Sequence, residues 1–191
     1  MHYGGGGLLN DTPVICGGYY TGKVYNYESA CYYHNKITNA WKLLGNMHNA
    51  RSEFGFAQLN GGFWVTGGHA PSLTTSTEII HLNGTISLDK PLPTVQAGHC
   101  MVTLNQNDVL IIGGYPPANF KKTMFYKENS RSYTNGPRMN HNRYSHACCV
   151  FNSQLHKGQP VVLAAGGAFG PTVELLDYTQ ENAQWTVSKH F

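Results

Sequence analysis

Four diglycines, Gly17-Gly18, Gly67-Gly68, Gly113-Gly114 and Gly166-Gly167, each close a short apolar run, at spacings of 50, 46 and 53 residues. Such spacings suit propeller blades and exceed the roughly 20 to 35 residues of leucine-rich, ankyrin or TPR units. Adjacent glycines alone say little, because 22 glycines among 191 residues give about two or three such pairs by chance. The context separates these four. They follow Pro13 to Cys16, Phe63 to Thr66, Val109 to Ile112 and Val161 to Ala165, segments with the β-branched and aromatic content and the length of buried strands. A glycine reaches positive φ without steric cost and lets a neighbouring backbone come close, so a pair at a strand end marks a crowded sheet that must turn.

An upstream motif recurs in phase with the doublets: Met47, Arg51, Phe54; Leu92, Gln96, His99; and Met139, Arg143, His146. Downstream, a further strand runs from Ser29 to Tyr33, Thr77 to Leu82, Thr123 to Tyr126 and Val173 to Tyr178, followed in three units by Trp41, Tyr133 or Trp185. Gly, Pro, Asn and Thr interrupt nearly every window before a helical pattern can run for about ten residues. The expected class is all-β.

Together the doublets, the Met/Arg/His motif and the following aromatic resemble the kelch repeat family over essentially the whole chain. The resemblance implies a kelch-type β-propeller with four blades of four antiparallel strands, or an incomplete arc of a larger propeller. It gives one region over 1–191 with blades near 1–45, 46–91, 92–138 and 139–191. Both ends fall inside a repeat, which favours a piece of a longer propeller, with a closed four-blade ring or arcs that self-associate through open blade edges as alternatives.

Charge bounds the partners. Only 12% of residues are charged, the net charge is +3, and Lys121-Lys122 is the longest basic run. No phosphate-tracking stripe exists, and nucleic acid is not an expected partner. No apolar stretch approaches a membrane span, and the first residues lack the pattern of a signal peptide. The five cysteines include no Cys-x-x-Cys. Cys16 and Cys31 fall on neighbouring strands and are either a disulfide or two small buried side chains, whereas Cys148-Cys149 read as core filler. The sequons Asn10-Asp11-Thr12 and Asn83-Gly84-Thr85 fit a secreted chain, but compartment stays open.

No catalytic arrangement stands up. Gly17 to Lys23 imitates a phosphate loop, yet Val24 stands where magnesium coordination needs Ser or Thr. Ser145 and His146 are adjacent on a strand and point apart. His99 and His146 hold equivalent repeat positions, which suits packing better than ligation, and Glu28, Glu78 and Glu174 all look like one structural position heading the third strand. No metal or other cofactor is expected.

The resemblance implies a non-catalytic module that grips a protein or peptide with the loops between strands two and three and between blades. It places Tyr19, Tyr20, His69 and Tyr115 near that face, with Ala168, Glu53, Gly98 and Ser145. Tyr19 and Tyr115 are either anchors or wedges between blades. Kelch-like enzymes supply the alternative, a galactose-oxidase-like copper oxidase or a sugar epimerase.

Overall fold

The computed structural model of the chain describes residues 3–20, 26–59, 61–105 and 107–188. Four four-stranded antiparallel sheets follow one another among these residues. The first contains β1 (Gly5–Leu9) and β2 (Thr12–Cys16) and, after the short hairpin β3 (Tyr19–Tyr20) and β4 (Asn26–Tyr27), β5 (Ala30–Asn35) and β6 (Ala40–Asn46). Next come β7 (Gly55–Leu59), β8 (Gly62–Thr66), β9 (Thr77–Ile80) and β10 (Ile86–Asp89). The third sheet is β11 (Cys100–Asn105), β12 (Asp108–Ile112), β13 (Thr123–Lys127) and β14 (Ser132–Asn135). The fourth is β15 (Ala147–Ser153), β16 (Gln159–Ala165), β17 (Val173–Leu176) and β18 (Trp185–Val187). In each sheet the strands lie side by side in the order in which they occur along the chain, with β2 next to β5 in the first.

The chain is therefore all-β, with helix confined among the described residues to single 3-10 turns such as Pro117–Asn119. None of the described helices is long and apolar enough to cross a membrane. Thr21 to Val24, the distal part of the phosphate-loop-like run, lies outside the described residues.

Two compact units emerge, Met1–Ala97 and Gly98–Phe191. In the first, Leu9, Val14, Phe54, Phe63, Val65 and Ile80 bring the faces of the first two sheets together. In the second, Val102, Leu110, Ile112, Val162, Leu176 and Trp185 do the same for the last two. Burying such side chains stabilises by about 1.5–3 kcal/mol each. The central strand β8 is buried at all five positions, which explains why it reads as a continuous apolar run without alternation.

The diglycines earn their recurrence through geometry. The first glycine of each pair has φ of 56° at Gly17, 60° at Gly67, 61° at Gly113 and 66° at Gly166, and the second lies between 96° and 102°. A Cβ on Gly17 would stand 2.6 Å from the Arg51 carbonyl oxygen, and one on Gly113 would stand 2.6 Å from that of Arg143. Side chains are excluded both by the backbone conformation and by the next repeat's upstream motif. The same contact is hydrogen-bonded, since Gly18 N–H donates to Arg51 O and Gly114 N–H to Arg143 O, each at 2.8 Å. Phe54 and His146, third members of the upstream motif, fill equivalent gaps: the first against Gly17 and Gly68, the second against Gly113 and Gly167.

Arg51 and Arg143, second members of that motif, are fully buried. Arg51 donates to Gly67 O and Ser76 O at 2.9 Å and to Glu78 Oε1 at 2.5 Å. Arg143 repeats the pattern with Gly166 O at 2.9 Å, Thr172 O at 2.8 Å and Glu174 Oε1 at 3.1 Å. Each carboxylate also accepts backbone N–H groups, from His48 and Asn49 at Glu78 and from Asn140 and His141 at Glu174. Burial works to raise both carboxyl pKa values. Hydrogen bonds from His48 and Asn49 with the Arg51 charge, and from Asn140, His141 and Arg143, overcome it and hold both below the ordinary value.

Glu28 does not belong to this set. Strand pairing puts Glu78 opposite Val65 and Glu174 opposite Ala164, and the matching position of the first sheet, opposite Ile15, is Tyr32. In the third sheet the position is Met124, opposite Ile111, and the upstream motif there carries Gln96 in place of Arg. Arginine and glutamate disappear together, as expected when either alone would be a buried unpaired charge.

The cysteines bear out one expectation and overturn another. Cys16 and Cys31, opposite one another on β2 and β5, form a disulfide with 4.1 Å between Cα atoms. Cys148 is not core filler but pairs with Cys100, joining β15 to β11 across 48 residues of sequence. Cys149 is exposed rather than buried and is the free cysteine among the described residues. Adjacent strand residues point to opposite faces, so only one of this pair could reach a neighbouring sheet.

Candidate functional site

Each sheet turns from its second to its third strand at the diglycine end, where the chain also passes into the next repeat. Two aromatic groups gather there, one in each unit. In the first unit, Tyr3 stacks on Tyr19 at 5.7 Å between centroids and 13° between planes, and Tyr19 meets Tyr27 at 6.1 Å. Tyr27 then lies 5.7 Å from the His69 ring, with its Oη hydrogen-bonded to His69 Nδ1 at 2.7 Å. The hairpin of β3 and β4 sets this row by pairing Tyr19 with Tyr27, while His69 is held by reciprocal backbone bonds to Ser52. Tyr20 follows Tyr19 on β3 and is 48% exposed.

The group in the second unit is more apolar. Phe120 stacks on Tyr144 at 5.5 Å, and Phe169 meets both edge-on, at 4.8 Å from Phe120 and 5.7 Å from Tyr144. Tyr115 closes the group at 6.3 Å from Phe120 and 6.5 Å from Tyr144. Phe120 and Tyr144 are half-buried, while Tyr115 and Phe169 remain 45% and 51% exposed. Backbone bonds from Met139 to Lys121 and from Arg143 to Phe120, each at 2.9 Å, lace the loop bearing Phe120 to the segment bearing Tyr144. The aromatic surface therefore stands on ordered backbone.

Of the residues singled out from sequence, Tyr19 and His69 come together in the first row, and Tyr115 lies in the second group. Glu53 and Ser145 stand two residues before the first strand of their sheets and have φ of 54° and 51°. Gly98 has φ of 60° at the same position, and so does Tyr3 at 53°. The left-handed backbone recurs in all four repeats, and it carries backbone bonds from Glu53 N–H to Tyr3 O at 3.0 Å and from Ser145 N–H to Gly98 O at 2.7 Å. A conformation common to every repeat is architecture first. Tyr3 fills this role in the first repeat and could have been found by counting two residues back from the first strand.

Phe120, Tyr144 and Phe169 are not among the residues expected from sequence, although Ser145 and Ala168 adjoin the last two. Counting offsets located the loops but not the side chain that turns outward. Tyr27 was missed because the tyrosine hairpin bearing it has no counterpart in the other repeats.

His99 and His146 lie behind this end of the second unit. Burial, then the neighbouring His146, lowers the pKa of His99 to about 3, while burial, then the Arg143 charge, lowers that of His146 to about 4. Both stay neutral near pH 7. Neither ring nitrogen of His146 has a hydrogen-bond partner among the described residues. Among those residues, no group of three or more His, Cys, Asp or Glu side chains is placed to hold a metal ion.

The opposite end of the third sheet differs in kind. An open hollow of about 520 Å³ there is lined by polar residues, including Asn105, Asp108 and Lys127. Large rings that expose one face and hold the other in a fixed cluster suit contact with a partner surface better than does such a wet depression. No protein-family model matches the chain, and neither does any curated protein.

Proposed function

We propose that this chain is a kelch-type propeller module, four blades or an arc of a larger ring, that binds a protein or peptide through the diglycine end and performs no chemistry of its own. The observation that carries the reading is the cluster of Tyr115, Phe120, Tyr144 and Phe169, in which two half-buried stacked rings support two exposed ones. Supporting the kelch assignment are four consecutive meanders, each ending its second strand at glycines of matching φ, and the Arg51–Glu78 and Arg143–Glu174 pairs placed in register. Exposed aromatics on a rigid base lose little rotamer freedom when a partner covers them, which is the usual character of an interface anchor.

The test is to select peptides from a displayed random library against the folded chain and to measure affinity of one selected peptide by calorimetry. Tyr115→Ala and Phe169→Ala are expected to weaken it by about 1–3 kcal/mol each with little change in Tm. Selected peptides whose affinity ignores both variants and also Tyr19→Ala would place binding elsewhere and defeat this assignment.

A further inference from the structure

The two sequons lie at the same end of their respective sheets. Asn10-Asp11-Thr12 spans the turn between β1 and β2, and Asn83-Gly84-Thr85 spans the turn between β9 and β10. Register places both at the end opposite the aromatic row. Gly5 pairs with Cys16 beside the diglycine and Leu9 with Thr12 at the far turn. Thr77 pairs with Thr66 beside the second diglycine, and Ile80 with Ile86 at the far turn.

Asn10 and Asn83 are exposed. The Asn83 turn is well defined: Gly84 N–H donates to His81 O at 2.9 Å, His81 N–H to Thr85 O at 3.0 Å, and Thr85 N–H to Asn83 Oδ1 at 2.9 Å. Gly84 has φ of 86°, and a Cβ there would stand 2.9 Å from the Leu44 carbonyl oxygen. The middle residue thus packs against β6 while both flanking sequon residues are exposed. A separate observation bears on compartment. Disulfides Cys16–Cys31 and Cys100–Cys148 belong to chains that mature in an oxidising compartment, and in eukaryotic cells that compartment is where sequons are modified.

We propose that Asn83 and Asn10 are acceptors of N-linked oligosaccharide, placed so that the glycans leave the aromatic end of the first unit clear. In the transfer, asparagine Nδ2 bonds to the anomeric carbon of a polyprenyl-diphosphate-linked oligosaccharide. The bond from that carbon to the diphosphate oxygen breaks, the amide nitrogen gives up one proton, and polyprenyl diphosphate leaves. No oxidant or reductant is consumed. The Asn83 glycan would sit beside β6, an edge strand whose Trp41 and Leu43 are 49% and 56% exposed, where a bulky hydrated group opposes pairing with another sheet.

The experiment expresses the full chain behind a cleavable secretory leader, both in a eukaryotic cell and by translation with microsomes. Two mobility steps removable by peptide N-glycosidase are expected, one lost in Asn83→Gln or Thr85→Ala and the other in Asn10→Gln or Thr12→Ala, with Thr85→Ser retaining its step. The microsome arm reads modification even where a variant fails to leave the cell. Translocated wild-type chain that shows no glycosidase-sensitive step in either arm would overturn the proposal, as would glycosidase-sensitive mass that persists in Asn10→Gln/Asn83→Gln. If modification is found but enzymatic removal changes the fluorescence of the Tyr3, Tyr19 and Tyr27 row, the claimed separation of glycans from that end is wrong.

Discussion

The two units are built to one plan and furnished differently. Gly17 and Gly113 agree in φ within a few degrees, and Arg51–Glu78 in the first unit matches Arg143–Glu174 in the second. The diglycine ends diverge. The first unit carries a tyrosine row tied to His69, whereas the second carries a Phe-rich cluster with two exposed rings. The disulfide stays within one sheet in the first unit and joins two sheets in the second, and Phe54 gives way to His146. What the scaffold needs is repeated, and what recognition would use is not.

The most severe way to break the parallel is to remove one carboxylate. Glu78→Ala and Glu174→Ala each strand a buried guanidinium and are expected to cost about 3–5 kcal/mol, measured by denaturant unfolding. Similar losses in both units would confirm a shared role. The combined change Arg143→Gln with Glu174→Met, which copies the residues of the third repeat, should recover a large part of the loss.

Disulfide removal separates the units next. A loop of 48 residues closed by Cys100–Cys148 contributes about 4 kcal/mol by loop entropy, against about 3 kcal/mol for the 15 residues closed by Cys16–Cys31. Thermal unfolding of the two Cys→Ser pairs should reproduce that order.

Acid should then distinguish the histidine wedge from the phenylalanine one. His99 and His146 have folded pKa values of about 3 and about 4 and ordinary values near 6.5 once unfolded. The unfolded state therefore binds more protons between those limits, and stability falls as pH drops from about 6.5 toward 4, by up to about 1.4 kcal/mol per pH unit for each histidine. His146→Phe, which copies Phe54, should flatten the slope. Glu78 and Glu174, whose pKa values are lowered, lose their contribution only further down, as pH falls below the ordinary carboxylate range. A slope unchanged in His146→Phe would remove the histidine from the explanation.

The smallest effects on stability belong to the exposed rings. Tyr115→Ala and Phe169→Ala should shift unfolding by no more than about 1 kcal/mol while lowering peptide affinity. The reverse outcome, large instability with intact affinity, would turn them into packing residues.

Amino-acid order by itself determined the all-β class, the four sheets and the location of their turns. Glycine pairs, β-branched runs and the Met47, Arg51, Phe54 pattern answer to local backbone geometry and to close neighbours that recur at fixed offsets, so their signal survives in one dimension. Tertiary structure alone decided which partners those residues meet. Cys148 reaches Cys100 only because two sheets pack face to face, Tyr32 rather than Glu28 shares a position with Glu78 only through strand register, and Phe120, Tyr144 and Phe169 assemble from three separated segments. Such contacts depend on where the loops come to rest against one another, and no repeat period records that.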